Sequence, residues 1–185
     1  LRAGGGGLLL TLIALRFGGS PQLGRHWRIY LVSALFNVAI FASLMTLALD
    51  RLPTGLATVI IYTQPLLVGV IARIWINEPM GKLKLLGLIA GIAGVGLASL
   101  DPSNSAANLT GVLLALGSAL SWAIGTVHFK SQHDTISMYW FAAIQFLLGG
   151  GLLLLLAPLF GESWNQIQWS GSLWFSLSYT IIIGV

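Results

Sequence analysis

Charge along this chain is confined to short joints, and between the joints lie long runs that carry none. Residues 29–49, 54–72, 85–100, 102–129, 135–161 and 163–185 contain no Lys, Arg, Asp or Glu. A helix crosses the hydrocarbon layer of a bilayer in about 20 apolar residues. The six runs are therefore candidate spans, and residues 3–15 add a seventh at the start. The pattern predicts helices at about 1–17, 29–49, 54–75, 83–100, 109–129, 136–158 and from 172 onward. Pro53, Pro79, Pro102 and Pro158 stand at or near the joints, where a missing backbone N–H costs least.

Composition agrees with a membrane-embedded, all-α helical bundle. Charged residues make up 8% of the chain and hydrophobic residues 56%, against about 25% charged in a soluble domain. The mean hydropathy is +0.89, more apolar surface than a water-soluble fold of 185 residues can hide. Alternate joints carry the basic residues: Arg16, Arg25 and Arg28, then Arg73, Lys82 and Lys84, then Lys130. The opposite joints hold Asp50 with Arg51, then Asp101, then Glu162. The positive-inside rule places the basic joints in the cytoplasm, so the net charge of +4 reflects topology and not nucleic-acid binding. The chain has no Cys, which excludes disulfides and thiolate chemistry, and His26, His128 and His133 lack metal-ligand spacing. No cofactor and no metal are expected; the expected partners are a small-molecule solute and the lipid bilayer.

The first helix and the sixth match without a gap at an offset of 143. RAGGGGLLLTLIALRFG, from Arg2, lies on QFLLGGGLLLLLAPLFG, from Gln145, with eight identities in seventeen positions. At an offset of 142 the second helix continues the register, with Trp27 on Trp169, Leu31 on Leu173 and Leu35 on Leu177. Helices five crossings apart run in opposite directions, so this is an inverted-topology repeat with a five-helix unit, the plan of many secondary transporters. On that count the chain is a fragment holding about seven of ten helices, from an intact protein of about 285 residues.

ALDRLPTGLATVIIYTQPLLVGVIARIWINEPMGKLKLLGLIAGIAGVGLAS, residues 48–99, places Ala48 and Leu49 before a tight turn, Ala57 at a small-residue helix start and Pro65 in mid-helix. Glu78 then follows the helix, and Gly87, Gly91 and Gly94 line the next one. With LSWAIGTVHFK at 120–130, this order of motifs resembles the drug/metabolite transporter superfamily, in particular its EamA-type branch. The resemblance implies a first repeat over 1–100 lacking its first helix, and a truncated second repeat over 109–185. It also implies a multi-pass protein of a bacterial inner membrane that exports or exchanges small solutes such as amino acids, nucleosides or amphiphilic compounds.

Several residues are candidates for contact with such a solute. Pro65 removes a backbone donor in mid-helix beside Gln64, which reads as a hinge with a solute contact or as a packing kink. Ser33, Asn37 and Phe41 share one face of the second helix. Gly111, Ala115, Ser118, Ser121, Trp122 and Gly125 form a second stripe, which suits either a cavity wall or close helix packing. Asn37, Gln64 and Trp122 are expected to face one another at mid-membrane. The repeat equates Arg2 with Gln145 and so places both deep in a helix, where an Arg suits an anionic solute or a structural pairing. Glu78, beside Pro79 and near Arg73 and Lys82, reads as a local ion pair or helix cap. Gly87 and Gly91 form a GxxxG suited to packing within the chain.

The leading reading is a secondary transporter working by alternating access. A membrane-embedded enzyme would need paired carboxylates or a metal motif inside the spans, and no catalytic residue is identified there. A membrane scaffold is the other alternative.

Overall fold

A computed structural model describes residues 2–99, 109–132, 136–160 and 169–182. Asp101, Pro102, His133 and Glu162 lie outside the described residues. The order is α1 (Arg2–Phe17), α2 (Leu23–Ser33), a π-helical segment (Ala34–Ile40), α3 (Phe41–Leu49), α4 (Thr54–Ile61), α5 (Gln64–Trp75), α6 (Lys82–Ser99), α7 (Leu109–Ser131), α8 (Met138–Leu156), a 3-10 turn (Ala157–Phe160) and α9 (Gly171–Ile182). Among the described residues four stretches are long and apolar enough to cross a membrane: Leu23–Leu49, Thr54–Trp75, Leu109–Ser131 and Met138–Leu156. The described parts of α1 and α9, 16 and 12 residues, are shorter.

Two boundaries differ from the sequence expectation, each for a physical reason. Helix α2 begins at Leu23 and not near residue 29, because His26, Ile29, Tyr30 and Ser33 make a buried face while Arg25 and Arg28 point outward. A helix turn tolerates charge on its outer side, so the uncharged run understates its length. The Tyr30 hydroxyl donates to the Pro21 carbonyl at 2.9 Å and ties the helix to the joint before it. The stretch 54–75 is two helices: Tyr62 and Thr63 form a turn between α4 and α5. Pro65 therefore sits in the first turn of α5 and not in the middle of a continuous helix. In that position its missing N–H would have had no helical acceptor. The Thr63 hydroxyl and N–H both bond the Ile60 carbonyl, at 2.7 and 3.1 Å, which closes the end of α4.

The chain divides into two compact units, Leu1–Ala39 with His133–Val185, and Ile40–Gln132. Each contains helices from both of the sequence segments, 1–100 and 109–185.

In the first unit α1 packs along α8 at backbone contact. A methyl group at Gly7 would lie 2.7 Å from the Leu147 amide nitrogen, and one at Gly150 would lie 2.7 Å from that of Gly4. Because Gly7 faces Leu147 while Gly4 faces Gly150, the helices are antiparallel. A shift of 143 converts Gly7 into Gly150 and Gly4 into Leu147, so it exchanges one contact for the other. Two copies of one helix related by a two-fold axis produce this pattern, and the opposed directions are those of an inverted repeat. Flanking residues pack on both helices: Val38 on Gly149 of α8, and Ile181 of α9, 143 residues further on, on Gly5 of α1, one position from the Gly6 that the same shift gives.

The second unit has an apolar core of Ala48, Leu52, Leu56, Ala57, Ile60, Ile61 and Ala115, with Phe41, Met45, Leu49, Val112 and Leu114 packed against it. Helix α7 approaches α3 through small residues. Gly111 lies under Leu52, Gly117 faces Leu44, and the Ser118 hydroxyl donates to the Phe41 carbonyl at 3.0 Å. The GxxxG of α6 likewise seats Leu66 of α5 on Gly87 and Gly91, as expected for packing inside the chain.

Candidate functional site

Polar side chains inside an apolar bundle are costly, so each one retained at depth has a partner or a task. In the first unit Ser33, Asn37 and Gln145 are all buried, at 0%, 5% and 8% exposure. The Asn37 Nδ2 donates to Gln145 Oε1 at 3.4 Å. Asn37 Oδ1 and Ser33 Oγ have no hydrogen-bond partner among the described residues. One turn of helix separates these two oxygens along the chain, and Asn37 lies inside the π-helical segment Ala34–Ile40. A π-helical turn carries an extra residue and re-aims the side chains within it, which is why such segments recur at functional positions. Asn37 and Gln145 thus form a buried neutral amide pair, with the Ser33 hydroxyl one turn earlier on the helix that carries Asn37.

Arg2, equated with Gln145 by the repeat, opens the described part of α1 and is exposed, in contrast to its counterpart. In the second unit the Trp122 ring meets Phe41 edge-on, with centroids 4.9 Å apart. The other members of the α7 stripe, Gly111, Ala115, Ser118, Ser121 and Gly125, are buried, while Trp122 is half-buried at its margin. Gln64 opens α5 and is half-buried, with Pro65 exposed beside it. Asn37 and Gln145 thus meet in the first unit, whereas Gln64, Pro65 and Trp122 belong to the second.

Three charged side chains of the second unit meet at one joint. Asn77 takes a left-handed backbone, φ 53°, and turns the chain so that the Glu78 N–H bonds the Ala72 carbonyl at 3.2 Å. The Glu78 carboxylate accepts from Lys130 Nζ on Oε2 at 2.6 Å and from Lys84 Nζ on Oε1 at 3.2 Å. Hydrogen bonding to Lys130, and after it to Lys84, holds the Glu78 carboxyl below its usual range. The ion pair expected near Arg73 and Lys82 is therefore made with other lysines, one of them 52 residues away on α7. Only the similar spacing of basic joints hinted that α7 ends at this level.

The arrangement defines a polytopic helical membrane protein whose deep polar groups are neutral and whose described ion pairs sit at a joint. Residues 1–100 and 109–185 match the EamA-like transporter family, and the chain belongs to that family. It is 41% identical over 183 residues to the uncharacterized transporter YvbV of Bacillus subtilis, covering 97% of this chain and 60% of that protein. It is 28% identical to the uncharacterized inner membrane transporter YedA of Escherichia coli K12, over 96% of this chain and 56% of YedA. A WAT1-related chloroplastic protein of Arabidopsis thaliana is 29% identical over 96% of this chain and 45% of its own length. The chain thus spans between about half and 60% of these relatives. No solved structure matches it. The family, YvbV and YedA carry the names of transporters and not of enzymes, which sets aside the membrane-enzyme reading.

Proposed function

We propose that the full-length protein is a secondary transporter of small metabolites, such as amino acids, nucleosides or amphiphilic compounds, that exports or exchanges them by alternating access. Its two repeats, 1–100 and 109–185 in this chain, would rock about a midplane site in a bacterial inner membrane, where the relative YedA is placed by its name. The observation that carries this reading is the buried cluster of Ser33, Asn37 and Gln145 at a π-helical turn, with two oxygens unpartnered. A polar contact kept only for packing gains little in a membrane, about 0.6 kcal/mol, and an unsatisfied buried acceptor costs about 1–3 kcal/mol. A solute that donates hydrogen bonds as it passes would offset that cost. Gln64 and Trp122, and Arg2 for an anionic group, are the further candidate contacts, with Pro65 as the candidate hinge.

The test is transport by the full-length protein in proteoliposomes, screened with labelled amino acids and nucleosides. Asn37→Leu and Gln145→Leu keep similar volume and remove the polar groups, so membrane abundance is expected to hold while transport of the polar solute falls at least tenfold. Loss of the protein from the membrane, with normal transport per remaining molecule, would make the cluster a packing device, and no transport of any screened solute by the wild type would favour a scaffold.

A further inference from the structure

The second unit holds a crevice of about 370 Å³ between α5 and α6, which shares only Pro65 with the residues of the transport reading. Its walls are graded in polarity. At one end stand Glu78, Lys84 and Lys130. From there it runs along Ala72, Gly69, Leu66 and Pro65 of α5, opposite Leu83 and Gly87 of α6. Ala72 accepts the Glu78 N–H, so the charged end coincides with the end of the helix. The seven residues from there to Pro65 carry the apolar part about 10 Å inward along α5.

We infer that this crevice is a binding site for an anionic phospholipid, with the phosphate at Lys84 and Lys130 and an acyl segment against the α5–α6 wall. Charge favours this occupant. The triad of two lysines and one glutamate has a net charge of +1, the complement of a phosphodiester. Each ammonium has three donors, and each gives one to Glu78, which leaves donors for phosphate oxygens. Both lysine side chains remain about half exposed, at 56% and 52%, while the carboxylate between them is 26% exposed. The exposed Arg73 and Lys82 add two more positive charges to the same joint. Depth favours it too, because a phospholipid is charged at the interface and apolar beneath it, in the same order as the crevice. Basic pockets between spanning helices are known to take acidic headgroups in this way. The site lies wholly within one compact unit and does not depend on which solute is carried.

Delipidated full-length protein in neutral detergent, titrated with phosphatidylglycerol or phosphatidylcholine and read by native mass spectrometry, tests the assignment. Phosphatidylglycerol is expected to bind at least tenfold more tightly. Lys84→Gln with Lys130→Gln should weaken it by about 25-fold, about fivefold for each lysine. Gly69→Phe leaves the triad intact and fills the crevice, since a side chain at Gly69 meets nothing within 4 Å at its first carbon. That variant should fold normally and lose the lipid. Equal affinity for the two lipids, as when another segment of the full-length protein covers the crevice, overturns the proposal. So does retention of phosphatidylglycerol by Gly69→Phe. If glycerol phosphate alone competes as strongly as the whole lipid, the site is an anion site without a chain groove, and the proposal fails on that ground.

Discussion

The two compact units treat polarity differently. The first buries two amides as well as a hydroxyl deep among glycine-packed helices, while the second buries no amide among its described residues, only the hydroxyls of Ser118 and Ser121, and gathers its described ion pairs at a joint. The cost of each group explains the division. A charged side chain at the centre of a bilayer costs at least about 2.5 kcal/mol, whereas an amide that keeps even one hydrogen bond loses far less. Asn37 and Gln145 are therefore affordable at depth, and Glu78, Lys84 and Lys130 are not. The packing differs accordingly. Backbone contact between α1 and α8 leaves no room for side chains at Gly7 and Gly150, while α3 and α7 meet through Leu, Phe and Trp side chains laid on small residues.

The largest effect is expected where the first unit has least room. Gly150→Leu drives a side chain into the Gly4 backbone, and overpacking of this kind costs about 1–3 kcal/mol or more where neither helix can move. Membrane abundance of the full-length protein should collapse. Gly7→Leu should do equal damage, because the repeat makes the two sites equivalent, and Gly151→Leu should be tolerated, since nothing lies within 4 Å of its first side-chain carbon. Unequal damage at Gly7 and Gly150 would break the symmetry between α1 and α8.

A smaller effect is expected from the aromatic margin of the second unit. Trp122→Ala removes contact area worth about 1–3 kcal/mol, or about 5- to 150-fold in apparent affinity if solute binding bears the whole loss. Trp122→Phe keeps an edge-on partner for Phe41 and should restore abundance if packing alone is at stake. Gln64→Leu, at nearly constant volume, should lower transport of a polar solute and leave abundance unchanged. Normal transport by both Trp122→Ala and Gln64→Leu would remove these two residues from the solute site.

Uncharged runs located most of the described helices to within a few residues, because the bilayer makes charge the one intolerable feature of a span. They failed at Leu23, where Arg25 and Arg28 ride on the outer face of a helix. The break at Tyr62 and Thr63 was half legible: Pro65 announced a disturbance, but a proline fits equally the middle of a kinked helix and the first turn of a new one. Asn37 was recognisable as a polar residue at depth, yet its partner Gln145 lies 108 residues away and no local period connects them. The repeat did connect Gln145 to Arg2, and their different exposure shows that equivalent positions in a repeat need not share an environment. Nothing in the spacing of Glu78 foretold Lys130, since that pairing depends on how α7 returns to the joint.

The smallest expected effect separates the charged joint from the neutral cluster by pH. Glu78 is held below the usual carboxylate range by Lys130 and Lys84, so its pairing stabilises the fold fully above the ordinary value of about 4.3. That contribution fades only as pH falls below this value and through the lowered one. Wild type should therefore melt slightly above Glu78→Gln at neutral pH, with a gap that is constant down to about pH 5 and closes in stronger acid. The pairs are partly exposed, so the gap should be small and shrink with added salt. Asn37→Leu changes no titrating group, and its difference from wild type should stay flat over the same range of pH and salt. A Glu78→Gln gap that closed already near neutral pH would mean that the carboxyl is raised and not lowered, and that the lysines do not hold it as the geometry shows.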